Sequence, residues 1–419
     1  MKRRIFTGHA AALAIVLGAL SSAVSAGDAG PRFRADGIDA DAYGRGAGYP
    51  TCTGLSYMRD LGCRVGAFSN FDTLFPSRAI AASKSPVPLR RADGEPVIRY
   101  THAGQSRTLD DYLNANPVTG LLIARGDTIL VERYQYARTD KQRLASFSMA
   151  KTIVALLIGI AVRDGAIKSI DDAAEIYVPG LKGTEYGRTP VKALLQMASG
   201  VAFNENYADF ASDVYVLANL TIGQDPAGSL AAVKRFNTRY APPGERHSYS
   251  SAETLVLGLV LAGATKRTMA DYAAEKLWGP LGAEADASWM LDATGQEVAF
   301  AYYNATLRDW ARLGLMLAHD GSWNGNSVVP RDWLLAATSI GQGSPFWSSS
   351  MKPGQHVAGY GYQTWLLMAD RRMFALRGLR DQFVLVDPAT KLVLVQTALR
   401  DGTQLELYAL WAALTSAPP

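Results

Sequence analysis

The stretch RLASFSMAKTIVALLIGIAVRDG, Arg143 to Gly165, sets Ser148 and Lys151 three residues apart at the mouth of an apolar run, Thr152 to Val162. On a helix, positions i and i+3 share a face, with Cβ atoms about 5–6 Å apart. The two side chains therefore meet. A lysine held against apolar surface loses part of its proton affinity, because burial disfavours the charged form, and a neutral amine at that distance can take a serine proton. The positive end of the helix favours negative charge developing at Ser148. An N-cap serine followed by a surface lysine would show the same letters, so the reading needs a second constellation.

PPGERHSYSSAETLVLGLVLAG, Pro242 to Gly263, supplies one. A Pro-Gly turn leads to Tyr249-Ser250-Ser251, and a second apolar helix begins near Glu253. Tyr249 stands on a loop just before a buried helix, where a phenol can reach into a cleft; a packed tyrosine is the bland alternative. A Ser-His-Asp hydrolase fares poorly, since Ser199-Gly200 lacks the preceding glycine of a G-x-S-x-G elbow. His247 reads as a residue beside the pocket or on the surface, and Asp171-Asp172 as a helix cap. The five histidines are scattered without metal-ligand spacing.

Positioning these groups requires a frame. GLLIARGDTILVERYQY reads as two β-runs, Gly120 to Ala124 and Thr128 to Tyr134, joined at Arg125-Gly126-Asp127. The helix from Ser148 stops at Gly165, and TPVKALLQMASG starts on a Thr189 cap with Pro190 at its first position. RRMFALRGL, DQFVLVDP and KLVLVQTA read as antiparallel strands, the last two turning at Asp387 to Thr390, and LELYALWAALTS closes the chain as a helix. The order implies one sheet assembled from both ends of the domain with a helical insert between. The expected division is an irregular extension over 27–100 and a main domain over 101–419. Within the main domain, sheet segments fall near 101–165 and 280–419 and helical ones near 166–279.

Residues 1–26 combine Lys2, Arg3 and Arg4, an apolar core near Ala10 to Leu20, and small residues Val24 and Ala26, the pattern of a signal peptide cleaved after Ala26. Its core is shorter than the roughly 20 residues of a spanning helix, so no integral membrane anchor is expected. Those three basic residues, with no acid among them, account for three of the formal +4 charges, which argues against a nucleic-acid partner. The only cysteines, Cys52 and Cys63, read as a disulfide in an exported, hence periplasmic or secreted, protein.

Together Ser148-Met149-Ala150-Lys151, Tyr249-Ser250-Ser251 and the Gly378 region resemble the serine β-lactamase, penicillin-binding protein and family VIII esterase superfamily. The nearer resemblance is to its branch of 6-aminohexanoate-dimer hydrolases and related carboxylesterases. It rests on GLLIARGDTILVERYQY, SFSMAKTIVALLIGIAVRDGAIKSIDD, LLQMASGVAFNENYAD, PPGERHSYSSAETLVLG and YYNATLRDWARLGLMLAHDG, and runs from about residue 118 to 400. The resemblance implies an α/β (α+β) fold of the β-lactamase/DD-peptidase type, with a central antiparallel sheet flanked by helices and a mainly helical subdomain. It implies acyl transfer with Ser148 as nucleophile, Lys151 as proton acceptor and Tyr249 bonded to both as relay. The oxyanion hole would come from the backbone N–H groups of Ser148 and of a residue near Arg380.

Two departures stand out. Ser251 replaces the usual Asn of Y-x-N, and Arg377-Gly378 with Arg380 stands where β-lactamases carry Lys-Thr-Gly. An arginine there could bind a substrate carboxylate in bidentate fashion. The expected substrate is a small ester or linear amide, with Ser251, Arg377, Gly378 and Arg380 as binding residues and no metal or organic cofactor. A D-Ala-D-Ala carboxypeptidase, or a non-catalytic binding protein of the same fold, would carry much the same letters. Oligomeric state is not readable from the sequence.

Overall fold

The computed structural model describes residues 32–339, 356–367 and 370–416. The expected signal peptide lies outside them. The main sheet draws on both halves of the chain. In sequence order its strands are β1 (Arg90–Arg91), β2 (Val118–Arg125), β3 (Thr128–Tyr134), β4 (Val357–Tyr360), β5 (Trp365–Leu367), β6 (Phe374–Gly378), β7 (Gln382–Asp387) and β8 (Leu392–Ala398). Their spatial order is β4-β5-β6-β7-β8-β2-β3-β1, antiparallel except where the short β1 lies parallel to β3. Pairing of β8 with β2 (Leu394 opposite Ile123) joins the early hairpin to the late strands.

Alternation sorts the side chains of these strands onto two cores. Leu122, Ala124, Val384, Val386, Val393 and Val395 face the larger one, while Leu121, Ile123, Leu385, Leu392 and Leu394 face the other. Five helices matter for the site: α1 (Ala150–Arg163), α2 (Asp213–Thr221), α3 (Ser251–Thr265), α4 (Leu307–Ala318) and α5 (Gln404–Ser416). The first core holds α1, α3 and α4, and the second is covered by α5. Truncating a buried leucine such as Leu394 to alanine costs about 2–5 kcal/mol.

Residues 166–279 contribute helices and no named strand. Pro190 is the N-cap, not the first residue, of the short helix Val191–Leu195, and the Thr189 hydroxyl donates instead to the Glu185 carbonyl. Within the expected 27–100 extension, the described residues 32–100 are more than a wrapping. Ser77–Ile80 pairs with Ala287–Met290 in a second, four-stranded sheet, and β1 lies on the edge of the main one. Its short elements and even polarity hide these pairings from any periodicity argument.

Candidate active site

Ser148 lies in a 3₁₀ turn, Phe147–Met149, that runs directly into α1. Phe147 has a φ of 43°, an unusual value for a side chain of that size, and is held by rings packed around it, among them Phe68 at 4.9 Å and Tyr302 at 5.7 Å. A bend fixed by that packing presents the next residue, Ser148, to the cleft. The apolar faces of α1 and α3 bury the lysine that follows, leaving Lys151 1% exposed.

Three acceptors surround Lys151 Nζ: Ser148 Oγ at 3.0 Å, Ser251 Oγ at 3.2 Å and the Phe300 carbonyl at 2.9 Å. Burial lowers the Lys151 pKa to about 8, against an opposing pull from the charge of Glu205. The Ser251 hydroxyl donates to Glu205 Oε1 at 2.6 Å, so toward Lys151 it can only accept. The Phe300 carbonyl also can only accept. When the amine is neutral, its two protons are therefore held on one side and its lone pair points at Ser148.

Ser251 thus compensates for the shorter reach that sets it apart from Asn. It is the first residue of α3, and its backbone N–H donates to Glu205 Oε2 at 2.8 Å. Glu205 sits where the helix dipole favours an anion and ties Ser251 at two points. Tyr207 donates to the same carboxylate at 2.6 Å. The sequence reading missed Glu205. It comes from a stretch without regular structure, Ala202 to Asn206, whose only signal is the acid between two asparagines.

Tyr249 is held by Trp365, stacked at 5.4 Å, and by Tyr360, edge-on at 6.0 Å. It shares the cleft with Ser148, whereas Lys151 Nζ faces the ring, 5.1 Å from its centre. The expected bond of the hydroxyl to the lysine is not made, because the aromatic clamp turns the ring face to it. Burial, aided by Glu205, pushes the phenol up, outweighing the opposing effects of Ser148 and Arg377, so it stays protonated at neutral pH.

Gly378 ends β6, and a Cβ on it would stand 2.2 Å from the Ser146 carbonyl, so only glycine lets this strand end pack against the nucleophile turn. Arg377 lines the cleft, donating to Gln404 Oε1 at 2.8 Å and lying 5.0 Å over the Trp365 ring. Arg380 does not share that role. Its backbone N–H donates to Asp401 Oδ1 at 2.8 Å and its guanidinium pairs with Asp401 Oδ2 at 2.6 Å. With a φ of 62°, Arg380 belongs to the β6–β7 turn and its own N–H is taken up by Asp401, so an oxyanion donor near it has to come from a neighbouring residue.

Two cavities meet at Ser148. One, of about 460 Å³, is mainly apolar and bounded by Tyr57, Met58, Phe210, Val214 and Ile222. The other, of about 510 Å³, holds Tyr249, Trp365, Glu205 and Arg377. Leu379 and Tyr207 line both. His247 packs on Tyr360 at 5.2 Å, its pKa lowered to about 4 by burial, and lines neither cavity. Asp172 accepts from the Ser169 backbone and from Tyr177 and so closes a turn; the expected helix cap is not formed, since the helix Ala174–Tyr177 has Ala173 as N-cap without a side-chain bond.

The Beta-lactamase family model matches residues 107–415. The chain belongs to the Beta-lactamase family. A 6-aminohexanoate-dimer hydrolase of Paenarthrobacter ureafaciens is 27% identical over 359 residues, 84% of this chain and 89% of that protein. Among solved structures, a Bacillus anthracis protein assigned to the 6-aminohexanoate-dimer hydrolases superposes with a TM-score of 0.76 at 20% identity, covering 86% of this chain and 94% of its own. A D-stereospecific amidohydrolase from Streptomyces does so with a TM-score of 0.53 at 18% identity, over 71% and 95%. The expected superfamily, fold and hydrolase class are thereby established for this member of the Beta-lactamase family.

Proposed function

We propose that the protein is an exported hydrolase of esters or small linear amides that works through an acyl-enzyme on Ser148. The observation that carries this reading is the three-acceptor arrangement about Lys151, which directs a lone pair at Ser148 Oγ across 3.0 Å. As Oγ attacks the substrate carbonyl carbon, its proton passes to Lys151. The tetrahedral oxyanion is held by the backbone N–H groups of Ser148 and Leu379, the latter a turn residue that lines both cavities beside Ser148. Cleavage of the bond to the leaving oxygen or nitrogen is completed by a proton from Tyr249, which is restored at the expense of the Lys151 ammonium. Water then repeats the sequence on the acyl carbon and releases the acid.

The signal-like residues 1–26 support export. Arg377, with its Nη2 already held by Gln404, has a different reach from the lysine of Lys-Thr-Gly. Esters and linear amides are therefore the expected substrates, in preference to β-lactams. A panel of p-nitrophenyl esters, short linear amides and nitrocefin tests this. Turnover of the first two classes is expected, and efficient nitrocefin hydrolysis with inert esters and amides would overturn the assignment.

A further inference from the structure

The disulfide Cys52–Cys63 closes a loop whose inner residues line the apolar cavity, among them Leu55, Tyr57 and Met58. The loop is anchored on both sides. Buried Arg64 donates to the Tyr57 and Met58 carbonyls at 3.1 and 3.0 Å and to the Leu399 carbonyl at 3.1 Å. The Tyr57 and Tyr302 hydroxyls meet at 2.6 Å, and the Arg59 guanidinium lies 4.1 Å over the Phe210 ring. Opposite the loop stands α2, with Val214 and Ala218 on the cavity wall. A wall assembled from a stapled loop, tied to the end of the sheet and facing a helix, is a built pocket.

The chemistry at Ser148 decides which part of a substrate enters it. The leaving group must take its proton from Tyr249, and Tyr249 lines only the second cavity. The acyl carbon sits between the two, at Ser148 and Leu379. We propose that the disulfide-closed loop and α2 form an acyl pocket, and that the substrates are esters or amides with an extended apolar acyl chain whose leaving group lies on the Tyr249 and Arg377 side. This rests on the acyl-enzyme reading above and adds direction to it. Each methylene buried in such a pocket is worth about 0.8 kcal/mol, so kcat/KM should rise about fourfold per added acyl methylene until the cavity is full.

Ethyl octanoate and octyl acetate are isomers of equal overall hydrophobicity that carry the long chain on opposite sides of the ester, and their kcat/KM values test the assignment. Ethyl octanoate should be preferred at least tenfold. Ala218→Phe, which fills the pocket from α2, should reduce that preference at least tenfold, and Cys52→Ser/Cys63→Ser should reduce it in the same direction by freeing the loop. Equal rates for the two isomers, preference for octyl acetate, or a preference untouched by Ala218→Phe would overturn the proposal. Hydrolysis of p-nitrophenyl acetate, compared between wild type and Ser148→Ala, separates this from failure of the underlying reading: a Ser148-dependent acetate esterase without chain preference retains the mechanism and loses the pocket.

Discussion

On one side of Ser148 stand groups carried by the buried frame, Lys151 on α1 and Ser251 on α3, and on the other stand groups carried by loops and turns, Glu205, Leu379 and the stapled loop around Tyr57. The frame fixes where the proton goes, through apolar packing that leaves a lysine almost without solvent. The loops fix what can be bound there. Frame substitutions should therefore act on the rate of chemistry for every substrate, whereas loop substitutions should act on the choice among substrates.

The largest expected effect falls on the frame. Lys151→Ala removes the proton acceptor and should lower kcat by about 10²–10⁴ for charged and neutral substrates alike; Tyr249, on the loop before α3 but locked to the frame by Trp365 and Tyr360, should give with Tyr249→Phe a loss at the lower end of that range. Steady-state kinetics on matched esters check this, and a loss confined to one substrate class would break the division between frame and loops. Arg377 stands at the end of strand β6 yet lines the binding side of the cleft, and Arg377→Ala should raise KM about tenfold for substrates whose leaving group ends in a carboxylate and leave neutral esters nearly unchanged, since hydrogen bonds to charged groups contribute roughly 1.5–3 kcal/mol. Equal losses for both would remove carboxylate binding from the account.

A smaller effect sharpens the comparison, because Glu205 is a loop residue acting on the frame. The neutral amine is the active form, so kcat/KM should rise with pH through the Lys151 pKa of about 8. The charge of Glu205 holds that pKa up, and Glu205→Gln should therefore move the acid limb of the profile to lower pH. A limb that moves up, or stays in place, would show that the carboxylate does not act on Lys151.

The frame was legible in the sequence and the loops were not, for a physical reason. Ser148 and Lys151 follow helical spacing at the edge of an apolar run, and the sheet strands alternate, so their neighbours are dictated by periodicity. Tyr249 and Gly378 became legible through motif order. Glu205 reaches Ser251 across 46 positions of chain from a stretch with no period. Arg380 lies only two residues beyond Gly378, yet the left-handed turn at that point sends its N–H to Asp401 and its side chain out of the cleft. A turn conformation redirects a residue in a way that adjacency along the chain does not reveal.

The central claim is that Ser148 carries the acyl group, and intact-protein and peptide mass spectrometry after rapid quenching with p-nitrophenyl acetate tests it most directly. The account predicts one acetyl group on the peptide containing Ser148, formed faster as pH rises through about 8 and absent in Ser148→Ala. A modified residue elsewhere, or full turnover by Ser148→Ala, would contradict it.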